Sequence, residues 1–159
     1  MTRRMTVVRA TYSHAGQIAK DLRQVDRQEI WASHHETPED ALPRAISRSQ
    51  MAWTILWDNQ PAAMFGVAPA TALSDVGVIW LLGTPLLEKF STPFLRFSKH
   101  KVKEIRRHFS RLVNHVDARN AVSLEWVRWL GFTVHPPEPY GIEMMPFCKI
   151  EMSGETEDV

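Results

Sequence analysis

Apolar and polar positions along this chain follow two rhythms, and the changes of rhythm mark its elements. Residues 5–11, MTVVRAT, are β-branched and predict a first strand. After Ser13, Ile18, Leu22, Val25 and Ile30 recur near helical spacing, with Ser13 as the expected N-cap. Thr37-Pro38 predicts a second helix, a cap ahead of a proline at the first helical position. It should run through Ala41, Leu42, Ala45 and Ile46, with Pro43 early in it. Residues 51–69 are two apolar runs split by Asp58-Asn59-Gln60-Pro61, a hairpin signal. VGVIWLLG (76–83) is an unbroken apolar run, as in a strand buried on both faces. Thr92-Pro93 opens a long helix to about Phe109, and a strand (111–117) and a helix (121–130) follow. FTVH (132–135) and MMPFCKIEM (144–152) predict two last strands, joined by a segment rich in proline.

The expected order is β-α-α-β-β-β-α-β-α-β-β. This is a mixed α/β fold with a hairpin in its first half, not a simple doubly wound sheet. The 159 residues favour one domain. Its expected span is 5–152, with residues 1–4 as an extension and 153–159 as a frayed acidic tail. Met5 is an alternative start.

Composition changes the picture little: 44% hydrophobic and 23% charged residues are ordinary for a globular chain. A single cysteine, Cys148, forms no internal disulfide and fits a reducing compartment. The two N-terminal arginines have no apolar run behind them, so no secretory signal is expected. No window approaches the 18 apolar residues of a membrane span.

The last helix and its flanks carry the most specific pattern. In NAVSLEWVRWLGF, Asn120 is followed at a fixed spacing by Gly131 and Phe132. That pattern and the element order resemble the GCN5-related N-acetyltransferases. A closer resemblance is to the internal virion protein A family of T7-like podoviruses, through VIWLLG, KHKVKEIRRHFSR and LVNHVDARNAVSLEWVRWLGF. The acetyltransferase resemblance implies a GNAT-like acyl-CoA N-acyltransferase fold. It also implies a cofactor arm between two splayed central strands and a diphosphate on a glycine-rich loop at a helix start. Carried onto this chain, the acetyl-CoA site would use Leu82, Gly83, Thr84 and Asn120. The virion resemblance implies a bacteriophage protein, in the particle or in the host cytoplasm.

Two departures weaken the catalytic expectation. After the strand the chain reads Leu82-Gly83-Thr84-Pro85-Leu86-Leu87-Glu88, with one glycine, a proline that has no N–H, and an acid. The hydroxyls of Ser91-Thr92 are a second candidate phosphate site, with an ordinary N-cap as the plainer explanation. In the helix, Val127 stands where family members carry an acidic tyrosine, and the indole of neighbouring Trp126 only donates hydrogen bonds. His115 and Asp117, two apart on one strand, are the weak candidates for a general base. Asn120 and Gly131 are equally explained as helix caps, and Val122, Trp126, Trp129 and Leu130 as a core stripe.

Charge is localised where the whole-chain value of +1 conceals it. Between Phe94 and Leu112 stand Arg96, Lys99, Lys101, Lys103, Arg106, Arg107 and Arg111 against Glu104. Seven bases minus one acid leave +6 there and −5 elsewhere. Such a face could meet nucleic acid, an acidic protein or the 3′-phosphate of coenzyme A, or simply face solvent. His34-His35-Glu36 lacks the spacing of helix-borne metal ligands, so no metal is expected. Cys148 reads as a small core residue.

Three functions follow, in order of expectation. The first is a structural or assembly protein, of internal virion type or contacting the host, with degraded catalytic motifs. The alternative is an acetyl-CoA-dependent N-acetyltransferase acting on a host or phage protein. The third is a nucleic-acid-binding accessory protein.

Overall fold

The computed structural model describes residues 4–154, apart from the side chains of residues 90 and 91. Most of the expected N-terminal extension and acidic tail therefore lies outside the described residues. The elements are β1 (Met5–Arg9), α1 (Tyr12–Lys20), α2 (Gln24–His34), α3 (Pro38–Arg48), β2 (Met51–Trp57), β3 (Gln60–Pro69), β4 (Val76–Gly83), a 3₁₀ segment (Pro85–Phe90), α4 (Ser91–Ile105), β5 (Arg111–Asp117), α5 (Ala121–Leu130), β6 (Thr133–Val134), β7 (Glu138–Tyr140) and β8 (Met145–Met152).

The first predicted helix is two. Arg27 donates to the carbonyls of Ala19, Lys20 and Leu22, closing α1, and the Arg23 N–H turns away to Gly83 O. The buried Leu22 carries the apolar spacing across the break, which hid it. The cap of α1 is Thr11, whose hydroxyl accepts from His14 N, not Ser13. The hairpin forms as predicted, with a tight turn at Asp58 (φ 49°) and Asn59 (φ 66°); the positive φ pair matches the twist of its strands. A short strand, β7, lies in the proline-rich connection. Its Pro139 is tolerated because β7 pairs with β8 alone.

The strands form one sheet in the order β1-β2-β3-β4-β5-β8-β6, with β7 also on β8. Every pairing is antiparallel except β4 with β5. Helices α1, α2 and α3 cover one face, packing Ile18, Ile30 and Leu42 around Met64. Helices α4 and α5 cover the other, packing Val102, Ile105 and Val127 onto Phe65, Ile79, Leu112 and Ile150. Cys148 is buried in β8, as expected. Among the described residues, no helix is long and apolar enough to cross a membrane.

One feature of the sheet, in its middle, positions the candidate site. The parallel β4–β5 ladder runs only from Val76–Val78 to Arg111–Val113. At the next step the Asn114 amide intervenes: Nδ2 donates to Ile79 O at 2.6 Å, and Oδ1 accepts from His115 N at 2.7 Å. Beyond it the strands separate, leaving a gap in the middle of the sheet.

Close packing on β3 is testable by a pair of glycines. A Cβ on Gly66 would lie 2.6 Å from Met51 O and 2.9 Å from the Trp80 ring, whereas one on Gly16 meets nothing within 4 Å. In urea denaturation, Gly66→Ala is expected to lose about 1–3 kcal/mol through overpacking. Gly16→Ala, in the exposed middle of α1, is expected to gain about 0.5–1 kcal/mol.

Candidate functional site

The gap has a definite set of backbone groups. Thr84 N–H donates to Ala62 O, so even-numbered positions of β4 bond β3 and odd-numbered ones turn toward β5. Ile79 O is taken by Asn114, and at Gly83 the N–H donates to Asp26 Oδ2 at 3.0 Å while the carbonyl accepts from Arg23 N. On the opposite strand, Asp117 N–H donates to Glu29 Oε1 at 2.6 Å. Two carboxylates of α2 thus close the wide end of the gap, and Asn114 closes the narrow end. Leu81 lies between. The ladder turns its N–H and C=O into the gap, and no partner for them occurs among the described residues.

Cavities open on both faces at this point, and Leu81 lines all of them. On the α4–α5 face a cavity of about 390 Å³ has a floor of Leu81, Leu87, Phe94, Ser123 and Trp126 and a rim of Val122, Trp129, Glu88 and Glu125. On the other face a cleft of about 190 Å³ is lined by Glu29, Trp80, His115 and Tyr140, with the ion pair of Arg44 and Glu36 at its side. A space of about 40 Å³ through the gap touches Glu29 and His115 as well as Ser123 and Trp126.

The charges here are held by burial as much as by pairing. Asp26 is fully buried against Arg23, in a two-pronged pair at 3.0 Å, and also accepts from Asn120 Nδ2 at 3.3 Å. Burial raises its carboxyl against the pull of Arg23. Glu29 has no such cation. Burial pushes it from the usual 4.5 up to about 8, opposed by the Asp117 N–H and reinforced by the charges of Asp26 and Asp117. The His115 ring stacks on Tyr140 at 3.9 Å; burial and then Lys149 lower its pKa, so it is neutral at pH 7.

Beyond the cleft, the turn after β7 is fastened to the end of α2. Ile142 N and Glu143 N donate to Ser33 O and Ala32 O, and His35 Nε2 meets Glu143 at 2.6 Å. A Cβ on Gly141 would come within 2.7 Å of the Ser33 backbone, so only glycine fits.

The residues singled out in the sequence fare unequally. Leu82 and His115 line the cleft. Gly83 and Thr84 are at the gap, but their N–H groups are spent on Asp26 and Ala62 O. Asn120 is buried as the cap of α5, accepting from Ser123 N at 3.3 Å. Asp117 does not join His115: its carboxylate holds Arg119, at 2.7 Å to Nη2. Val127 is core, as its apolar character requires. The predicted core stripe of α5 is half correct, since Trp126 and Leu130 are buried while Val122 and Trp129 open onto the large cavity. Glu29 was not foreseen. Nothing in RQEIW distinguishes it, because its partner Asp117 is 88 residues away.

Acetyl-CoA fits this site at one end only. The open Leu81 backbone and the apolar cavity suit a pantetheine arm and a thioester. The loop after β4 offers no diphosphate cradle. Leu86 N bonds Thr84 Oγ1, Leu87 N bonds Thr84 O, Pro85 has no N–H, and Glu88 and Glu125 stand on the rim.

No family profile and no curated protein matches the sequence. Solved structures do match the fold. An acetyltransferase structure from Salmonella typhimurium, described with its cofactor acetyl-CoA, superposes with TM-score 0.72 at 13% identity, over 98% of this chain and 97% of that one. A ribosomal-protein alanine N-acetyltransferase from Escherichia coli gives TM-score 0.64 at 13% identity, covering 98% and 99%. The aminoglycoside acetyltransferase AAC(6')-Ib, in complex with coenzyme A, gives 0.66 at 11% identity, covering 94% and 95%. The chain therefore has the GCN5-related N-acetyltransferase fold, a mixed α/β single domain. The likeness corrects the first expectation, of a structural or virion assembly protein. The similar structures are acetyltransferases, two of them described with acetyl-CoA or coenzyme A, and none of these matches supports a bacteriophage origin. The physical reason is that the frame has kept its gap and both cavities, which the sequence motifs alone do not reveal.

Two substitutions test the electrostatics. Asp26→Ala leaves the Arg23 guanidinium and the Gly83 N–H buried without a partner, and should cost about 3–5 kcal/mol in chemical denaturation. Glu29→Gln should alter the dependence of stability on pH. The folded state holds the Glu29 proton more tightly than the unfolded chain, so this contribution is complete below about 4.5 and is lost as pH rises through about 8. The variant lacks that loss. Its stability relative to the parent should rise by on the order of 2–4 kcal/mol between pH 5 and pH 9, read from denaturation midpoints.

Proposed function

We propose that the protein is an N-acyltransferase that takes an acyl group, with acetyl-CoA as donor, to an amine. The observation that carries this reading is the placement of Leu81. Its free backbone pair lies where an apolar cavity on one face of the sheet meets a carboxylate-floored cleft on the other. A thioester donor entering between α4 and α5 presents its acyl carbon at the gap, and an amine in the cleft reaches it from the opposite face. When bound, the cofactor supplies the activated acyl carbon and a thiolate leaving group.

The chain's own residues supply the rest. Leu81 N–H and C=O orient the donor arm. Phe94, Trp126 and Leu87 exclude water from the thioester. Glu29, with a pKa raised to about 8, is matched to accepting the proton of an ammonium group near neutral pH. His115, neutral and stacked on Tyr140, shapes the cleft wall. Holding both reactants at one gap converts their encounter into an effectively unimolecular step.

Binding is read directly, because Trp126 and Trp129 line the donor cavity. Acetyl-CoA at 100 times its dissociation constant should stabilise the fold by about 2.7 kcal/mol and perturb tryptophan fluorescence. Absence of both effects at millimolar cofactor overturns the proposal. Because the loop holds no diphosphate, acetyl-pantetheine should compete within about tenfold, or roughly 1.4 kcal/mol, of acetyl-CoA. With a weakly basic amine, turnover should rise with pH toward about 8, and Glu29→Gln should remove this limb and lower the rate by about 10²–10⁴.

A further inference from the structure

We infer that the acceptor is an ω-amino acid, a small amine with a carboxylate at the far end of an apolar chain, its nitrogen at Glu29 and its carboxylate on Arg44. This deepens the acyl-transfer reading above and rests on it. Both residues line the same cleft, between helices α2 and α3 and the sheet. Glu29 is at the gap, where its carboxyl meets the Asp117 N–H. Arg44 stands on α3 with Glu36, and its charge acts on His34, in the last turn of α2. From Glu29 to His34 the helix rises about 7–8 Å, so the proton acceptor and the cation are held apart along the cleft.

Arg44 is equipped to receive an anion. Among the described residues that line the cleft it is the one permanent cation. Burial and then the charges of Arg44 and Arg48 lower His34, which is neutral at pH 7. Glu36 meets Arg44 Nη2, and no other described residue binds the guanidinium, whose planar fork carries five N–H donors. The Glu36 side chain is 15% exposed and that of Arg44 38%, so the acid steadies the guanidinium from within and leaves it open to a ligand. Arg48, whose charge also acts on Arg44, has no acid partner among the described residues, so this end of the cleft stays net positive. Between the two ends the walls are uncharged. Trp80, fixed by its Nε1–H to Ser49 Oγ at 2.8 Å, Leu82 and the His115–Tyr140 stack offer apolar faces to a methylene chain.

In the transfer, Glu29 takes one proton from the ammonium group. The nitrogen pair forms the C–N bond, the C–S bond breaks with its pair on sulfur, and the surplus proton on nitrogen ends on sulfur. The carboxylate on Arg44 is unchanged, and its part is to hold the amine at the gap. An α-amino acid carries its carboxylate too close to its nitrogen to bridge the two ends. An uncharged chain of the right length lacks the charge-assisted contact.

The test uses the full chain with acetyl-CoA and three acceptors: 6-aminohexanoate, its uncharged analogue 6-aminohexanamide, and glycine. In the parent, kcat/KM for the acid should exceed that for the amide roughly 10- to 100-fold, the worth of a hydrogen bond to a charged group. Glycine should fall below the acid by at least about tenfold. Arg44→Gln should bring the acid-to-amide ratio to about one, through the KM of the acid. Arg44→Lys, which keeps the charge but not the fork, should fall between. Each ratio is read within one preparation and does not depend on how much of a variant is folded. A parent ratio near one, a ratio that survives in Arg44→Gln, or a preference for glycine overturns the inference while the acyl-transfer reading stands. So does a chain that binds acetyl-CoA and acetylates none of the three. If acetyl-CoA neither binds nor is turned over, both are overturned together.

Discussion

The amide of Asn114 is the interaction on which the site depends. A parallel ladder, once begun, gains from each further rung. Here it stops after Val78 and Val113, because the Asn114 side chain takes Ile79 O in place of the next backbone donor. The strands on either side stay in the sheet through β3 and β8, so the interruption opens a slot and does not fray an edge. Backbone groups in such a slot are obliged to find partners. The chain itself meets Ile79 O, both groups of Gly83 and the N–H groups of His115 and Asp117, and leaves the pair of Leu81 open.

The partners chosen are unusual for a buried position. Asp26 and Glu29 bring two carboxylates to the interior, and only Asp26 has a cation beside it. An amide or hydroxyl could accept from the same N–H groups at less desolvation cost. The consequence of using carboxylates is a proton-binding site tuned by burial beside an open cleft, a combination typical of working acid–base groups. That Asp26 ties α2 to Gly83, while Glu29 ties it to Asp117, also means one helix registers both strands of the slot.

Much of the architecture is legible along the chain, because local rules decide it. The Asp58-Asn59 turn, the strand 76–83, the strand 111–117 and the Asn120 and Gly131 caps all follow from period and turn chemistry. The site is less legible, because it is made by distant pairs. Asn114 meets Ile79, Glu29 meets Asp117, and Asp26 meets Gly83, contacts that no spacing rule announces. Val122 and Trp129 mislead for a related reason. Their helical spacing states that they share a face with Trp126, but not that the neighbouring helix stands off to leave a cavity there. The departures from the acetyltransferase pattern at Val127 and in the loop after Gly83 are visible in sequence. That the frame keeps its slot is visible only in three dimensions.

The turn at Gly141 gives the cleft a particular character. By clasping Ala32 and Ser33 it anchors the far end of α2 to the strand pair β7–β8, while Asp26 anchors the near end to β4. A helix fixed at both ends behaves as a beam, not a lever. The cleft beneath it has a preset width, so a molecule that enters is sorted by whether it fits and not by how well it can pry the cleft open.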